Sequence, residues 1–252
     1  MIDGDEMGIE VVLVISLVLF TSAFIKGVTG FGTSLIAIPI LTFFLLEPSE
    51  ARALIVTINI LLNIYILVSA RQLRYEHARP YMVLIVSVFI AALISGFLLN
   101  RLTSEIFFIL MGILLVFTAI NRFFNIKFNI KHPKRYYVPL GLMGGTLNTL
   151  LGAGSVPVLI FLGNTNVKKA DFRVTVSLFL LILNIGSLIS FLISNEYNTT
   201  IFLWSLLFTP VMVLGTYFGI RSQHKFNERT FQMIVAVLLF IIGLNSIFGF
   251  LG

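Results

Sequence analysis

Lys26-Gly27-Val28-Thr29-Gly30-Phe31-Gly32-Thr33-Ser34 and Gly144-Gly145-Thr146-Leu147-Asn148-Thr149-Leu150-Leu151-Gly152-Ala153-Gly154-Ser155-Val156-Pro157 are glycine-rich breaks inside otherwise continuous apolar sequence. The first interrupts a block at 10–46 and runs on to Pro39; the second interrupts a block at 137–163. A helix needs about 20 apolar residues to cross a hydrocarbon core about 30 Å thick. At 37 residues the first block is too long for one helix and marginal for two. At 27 the second is too long for one comfortable span and too short for two. Both are expected to be broken or re-entrant hairpins. Interrupted backbone is tolerated in lipid only where protein buries it or where it lines a cavity, so the breaks are where function is expected.

Outward from the breaks lie apolar blocks at 53–70, 81–100, 106–121, 174–194, 201–220 and 231–251. They are continuously apolar rather than alternating, which argues for helices over barrel strands. Hydrophobic residues make up 58% of the chain and charged residues 11%, and the mean hydropathy is +1.03. A soluble globule of this size could not bury so much apolar side chain, and disorder is excluded by the same numbers. The chain has no cysteine, which removes disulfides, thiolate metal sites and Cys nucleophiles. The polar links are too short for a soluble domain, so residues 1–252 read as one all-α integral membrane domain. The acidic start, Met1 to Glu6, reads as the lead into a retained membrane segment rather than a signal peptide.

Basic residues orient the spans, because cytoplasmic loops collect Lys and Arg. Fourteen of the 17 fall in four loops: Arg71, Arg74 and Arg79; Arg122, Lys127, Lys131, Lys134 and Arg135; Lys168, Lys169 and Arg173; Arg221, Lys225 and Arg229. Eight single crossings would divide these loops evenly between the two sides. All four share a side only if blocks 10–46 and 137–163 each enter and leave by the same face. The other breaks hold most of the acid, including Glu10, Glu47, Glu50, Glu105 and Glu196. Both termini are therefore expected outside. The two halves, about 10–125 and about 137–251, correspond: a broken hairpin, then three transmembrane helices. Arg52 and Asn63 are 11 residues apart, as are Arg173 and Asn184, which puts each pair on one helix face. Asn121 and Asn245 end the halves similarly. An odd number of crossings per half makes this an inverted repeat, a recurrent build of secondary transporters.

Glycine permits backbone that exposes N–H groups, and a helix restarting after such a break presents the positive end of its dipole. Candidate substrate-binding residues are Lys26, Thr29, Gly30, Gly32, Thr33, Ser34, Asn63, Asn148, Thr149, Gly152, Gly154, Ser155, Arg173 and Asn184. Hydroxyl and amide donors with these charges suit a small oxyanion such as sulfite, sulfate, a sulfonate or a carboxylate. Each has a plainer role open to it. Glycines pack transmembrane helices, Lys26, Arg52 and Arg173 can snorkel to an interface, and Asn59, Asn63 and Asn184 can bond between helices. No Asp or Glu falls in the middle of an apolar block, which argues against carboxylate proton relays and cation cargo. His77, His132 and His224 lie in basic loops. No metalloprotease, P-loop or nucleophile-elbow motif occurs, so no catalytic residue, metal or cofactor is assigned. The basic loops are accounted for by orientation and not by nucleic acid.

At the glycine segments the sequence resembles the sulfite exporter TauE/SafE family of membrane transporters. The resemblance is carried by Gly27 through Pro39, by Gly145 through Pro157, and by Phe172-Arg173-Val174-Thr175. Ser155-Val156-Pro157 stands where the family often has Gly-Pro-Pro, and Asn148 where it often has glycine. The resemblance covers nearly the whole chain and implies movement of sulfur-containing or organic anions across the prokaryotic cytoplasmic membrane. The expected function is secondary transport of a small anion by alternating access around a site between the two glycine segments. A passive anion channel and, further off, a membrane-embedded enzyme are the alternatives. The expected partners are the anion and the lipid bilayer, with room for a homo-oligomer; the expected location is the cell membrane, multi-pass.

Overall fold

Backbone N–H and C=O groups in lipid have no water to bond, so a long apolar segment satisfies them as helix. A computed structural model of the chain describes residues 8–29, 32–69, 79–124, 126, 133–163 and 169–249. Every regular element among them is helical: α1 Ile9–Thr29, α2 Thr33–Phe44, α3 Pro48–Ser69, α4 Met82–Leu99, α5 Ser104–Phe124, α6 Tyr137–Leu151, α7 Ser155–Gly163, α8 Lys169–Ile193, α9 Thr199–Ser222 and α10 Glu228–Phe248. Short 3-10 turns precede α4 and α6 and follow α9. Among the described residues, six stretches are long and apolar enough to cross a bilayer: Ile9–Thr29, Arg79–Leu99, Ser104–Phe124, Val176–Ile193, Thr199–Lys225 and Arg229–Phe248. In chain order, a broken helix pair precedes three long helices twice, as α1–α2 before α3, α4 and α5, and as α6–α7 before α8, α9 and α10.

The two broken pairs differ in depth. α1 has 21 residues and α6 only 15; at about 1.5 Å per residue the first can cross the hydrocarbon and the second cannot. The return helices are shorter still, with 12 residues in α2 and 9 in α7. Their prolines also differ. Pro157 sits in the first turn of α7, where no intrahelical N–H is needed. Pro39 sits inside α2, where it leaves the Leu35 carbonyl without its usual donor.

The helices gather into two compact units, each drawing on both halves of the sequence. Unit 1 holds α1, α2, the start of α3, α5, α9 and α10; unit 2 holds α3 from Val56, then α4, α6, α7 and α8. In unit 1, α1 and α9 run parallel. Gly215 lies against Phe20 and Ala23, and Gly219 against Phe24 and Gly27. α5 and α10 run antiparallel, with Gly112 on Gly243 and Ile247. In unit 2, α4, α6 and α8 all run parallel. Gly141 meets Leu84 and Ser87, Gly145 meets Val88 and Ala92, and Gly186 meets Phe89 and Ala92.

Lipid accounts for the side-chain distribution. α4 turns Val83, Val86, Ile90, Ile94 and Phe97 outward, while Ser87, Ala91, Ala92, Ser95 and Gly96 are buried. A water-soluble helix would show the reverse. Between helices in a bilayer there is no apolar surface to hide from water, so small residues that allow close backbone approach take the interface.

Candidate functional site

α1 ends at Thr29, whose hydroxyl donates to the Ile25 carbonyl of its own helix at 2.8 Å. Gly30 and Phe31 lie outside the described residues. Gly32 is the N-cap of α2, held left-handed at φ 105 with no side-chain cap bond. A Cβ added there would meet nothing within 4 Å, so it is the backbone conformation and not crowding that calls for glycine. Thr33 opens α2. It is 2% exposed, and its Oγ1 is buried without a hydrogen-bond partner. Ser34, next to it, is half-buried and does have an interaction. Lys26 is half-buried on the last turn of α1. Gly27, beside it, is a packing glycine, since its missing Cβ would sit 2.5 Å from the Thr216 carbonyl.

The second break is closed where the first is open. Gly152 ends α6 in the left-handed conformation at φ 68 and donates to the Asn148 carbonyl at 2.7 Å. Gly154 lies so close to Gly144 that a Cβ would run into the Gly144 carbonyl and come within 2.6 Å of the Asn148 nitrogen. Asn148 Nδ2 donates to Asn184 Oδ1 at 3.3 Å and to Ser187 Oγ at 2.9 Å. Thr149 Oγ1 shares a 3.0 Å bond with Ser187 Oγ and donates to the Ala92 carbonyl at 3.1 Å. Ser190 donates to the same carbonyl at 2.7 Å, and Ser95 to Thr146 Oγ1 at 3.0 Å. This network ties α6 to α4 and α8. In unit 1, by contrast, Ser22, Thr42, Thr118, Ser205 and Ser246 each donate to a carbonyl of their own helix.

The helix ends show where each hairpin opens. In unit 1, the Phe43 ring at the end of α2 stacks on Phe108 in the first turns of α5, centroids 5.1 Å apart. The opposite end gathers the close of α1 and α9 and the start of α10, through Phe24 on Phe226 at 6.3 Å and Phe226 on Phe231 at 5.2 Å. That end carries Lys26, Arg122, Arg221, Lys225 and Arg229; the mouth of α1–α2 is at the other, with Glu47 and Glu105. In unit 2, Phe161 of α7 comes back to Tyr136 and Tyr137 at the start of α6, centroids 5.9 and 6.3 Å away. The mouth of α6–α7 is therefore at the end where Arg79, Lys134 and Arg135 lead into α4 and α6.

A model of the family described as sulfite exporter TauE/SafE matches residues 14–246. The chain belongs to this family. TauE/SafE proteins are membrane transporters, so this is a multi-pass membrane transporter of that family. No curated protein and no solved structure shows a match to the chain.

In this TauE/SafE chain the sequence-predicted site residues separate into groups. Asn148, Thr149 and Asn184 are brought together in the buried network of unit 2. Asn63, 1% exposed, donates to the Asn59 carbonyl of its own helix at 2.7 Å. Lys26, Thr29, Gly32, Thr33 and Ser34 flank the first break. Gly152, Gly154 and the half-buried Ser155 flank the second. Arg173 falls within α8, and its side chain lies outside the described residues. One expectation is corrected: Arg52 does not snorkel from its helix end. It is 2% exposed, with its guanidinium 5.5 Å from the centre of the Phe107 ring. Sequence reading missed Ser187 and Ser190. Their signal was available, since Asn184, Ser187 and Ser190 recur at three-residue spacing along α8, with Ser194 four residues on, just past its end.

Proposed function

We propose that this chain is a secondary transporter that carries a small anion, sulfite or another sulfur-containing or organic anion, across the cytoplasmic membrane by alternating access. One observation carries the reading: the α1–α2 hairpin opens away from the basic end of its unit, and the α6–α7 hairpin opens toward the basic end of its own. With basic ends cytoplasmic, the first hairpin opens outside and the second inside, and both termini lie outside. That is the arrangement of an inverted repeat, with about 10–125 and about 137–251 as its halves, and broken helices in such repeats form the substrate sites of transporters. The helix starts at the breaks favour an anion. The donors flanking the first break are the ones that touch it. Asn148, Thr149 and Asn184 hold the frame of the second.

Reconstitution into liposomes tests this. Vesicles loaded with unlabelled sulfite should take up labelled sulfite faster than empty ones, and uptake should saturate. Linear uptake without counterflow would assign a channel. No flux of any small anion would remove the reading altogether.

A further inference from the structure

We propose that the first turn of α2 is the anion-binding element, with the Thr33 hydroxyl as its side-chain donor and a small inorganic oxyanion as its ligand. This rests on the transport reading above and names the group within it that meets the cargo.

Three observations coincide at this helix start. α2 begins without a side-chain cap, and the first N–H groups of any helix have no carbonyl one turn earlier to bond. The space beside Gly32 is open, since a Cβ there would meet nothing within 4 Å. Thr33 Oγ1 is buried and has no hydrogen-bond partner. A buried hydroxyl without a partner lowers stability, and native proteins retain few of them. An arriving oxyanion would give that hydroxyl an acceptor and place negative charge on the positive end of the helix dipole. The donors that this helix start offers are neutral O–H and N–H groups, which suit a ligand with several acceptor oxygens on one atom.

The second break offers no equivalent. Asn148 and Thr149 already have partners, and the backbone of Gly144 fills the space beside Gly154. The two glycine motifs look alike in sequence and divide the labour in structure: the first binds, the second braces.

The test uses the purified full-length chain in detergent, melted against sodium sulfite, sodium sulfate and sodium chloride at matched ionic strength. Sulfite or sulfate should raise the melting temperature saturably and chloride should not. Thr33→Ser should keep its midpoint within about 3-fold of the parent chain. Thr33→Val should need at least about 10-fold more anion, the usual loss for a hydrogen bond to a charged group. Without anion, Thr33→Val should melt no lower than the parent, because it removes a polar atom that had no partner. If Thr33→Val binds sulfite as the parent does while the parent transports it, the Thr33 assignment falls and the transport reading stands. A Thr33→Val chain that melts far lower or fails to fold overturns the proposal too, since the hydroxyl would then have a structural partner. An equal shift with chloride overturns the oxyanion class. A parent chain that neither shifts with nor transports sulfite or sulfate overturns this proposal, and the transport reading falls with it only if sulfonates and small carboxylates fail to cross as well.

Discussion

Replacing Gly154 and Gly32 by alanine separates glycines needed for contact from glycines needed for backbone shape. A Cβ on Gly154 would lie 2.6 Å from both the nitrogen and the Cβ of Asn148, and would run into the Gly144 carbonyl. Ordinary carbon contacts are about 3.5–4.0 Å, so the gap between α6 and α7 must open by at least about 1 Å. Overpacking costs about 1–3 kcal/mol and more when nothing can rotate away. Here the obstacles are backbone, so Gly154→Ala should lose at least about 3 kcal/mol. For a chain of this size that corresponds to roughly 6–12 °C in Tm. Gly32 has open space, so Gly32→Ala meets only the left-handed backbone penalty of about 1–2 kcal/mol. Thermal melting of the two variants side by side in detergent measures the difference. Gly154→Ala should melt lower by several degrees or be recovered unfolded. If it melts at or above Gly32→Ala, the closed second hairpin described here is wrong.

Two further outcomes follow from the packing. Ser187→Ala removes the shared partner of Asn148 and Thr149 and should lower stability by about 1–2 kcal/mol, the upper range for polar contacts between membrane helices; melting checks this, and sulfite affinity should stay unchanged. Arg52→Met and Phe107→Leu should each destabilise, and a double-mutant cycle should return a coupling of about 0.5–2 kcal/mol for a cation over a ring. Additive effects would mean that the 5.5 Å approach of Arg52 to Phe107 carries no energy.

Much of the architecture was legible because lipid imposes one rule on long apolar runs. The helices fall on the apolar blocks, and both interruptions fall on the glycine segments. α3 begins earlier than its block, at Pro48, because Arg52 reads as the edge of a span when it is in fact buried. The composition of the units was not legible in the same way. Every face of a transmembrane helix is apolar, so hydropathy does not say which helix packs on which. The signal lay instead in small residues: Gly215 and Gly219 are one turn apart and make the surface that receives α1. Among the site residues, Asn148, Thr149 and Asn184 were readable as buried polar groups needing partners. Their mutual bonding was not, since it depends on α6 and α8 meeting at one depth. Nor does sequence distinguish Thr33 from Ser34: the two adjacent residues look equivalent until the structure leaves the Thr33 hydroxyl buried without a hydrogen-bond partner.

The proposal that the first hairpin opens outside and the second inside can be tested directly, because the chain has no cysteine of its own. Single substitutions Glu47→Cys, just past the end of α2, and Lys134→Cys, just before α6, would be exposed in whole cells to a thiol reagent that does not cross membranes. Glu47→Cys should react at once, and Lys134→Cys only after the membrane is opened. Reaction of both from the same side would contradict the opposed hairpins, and with them the mechanism built on them.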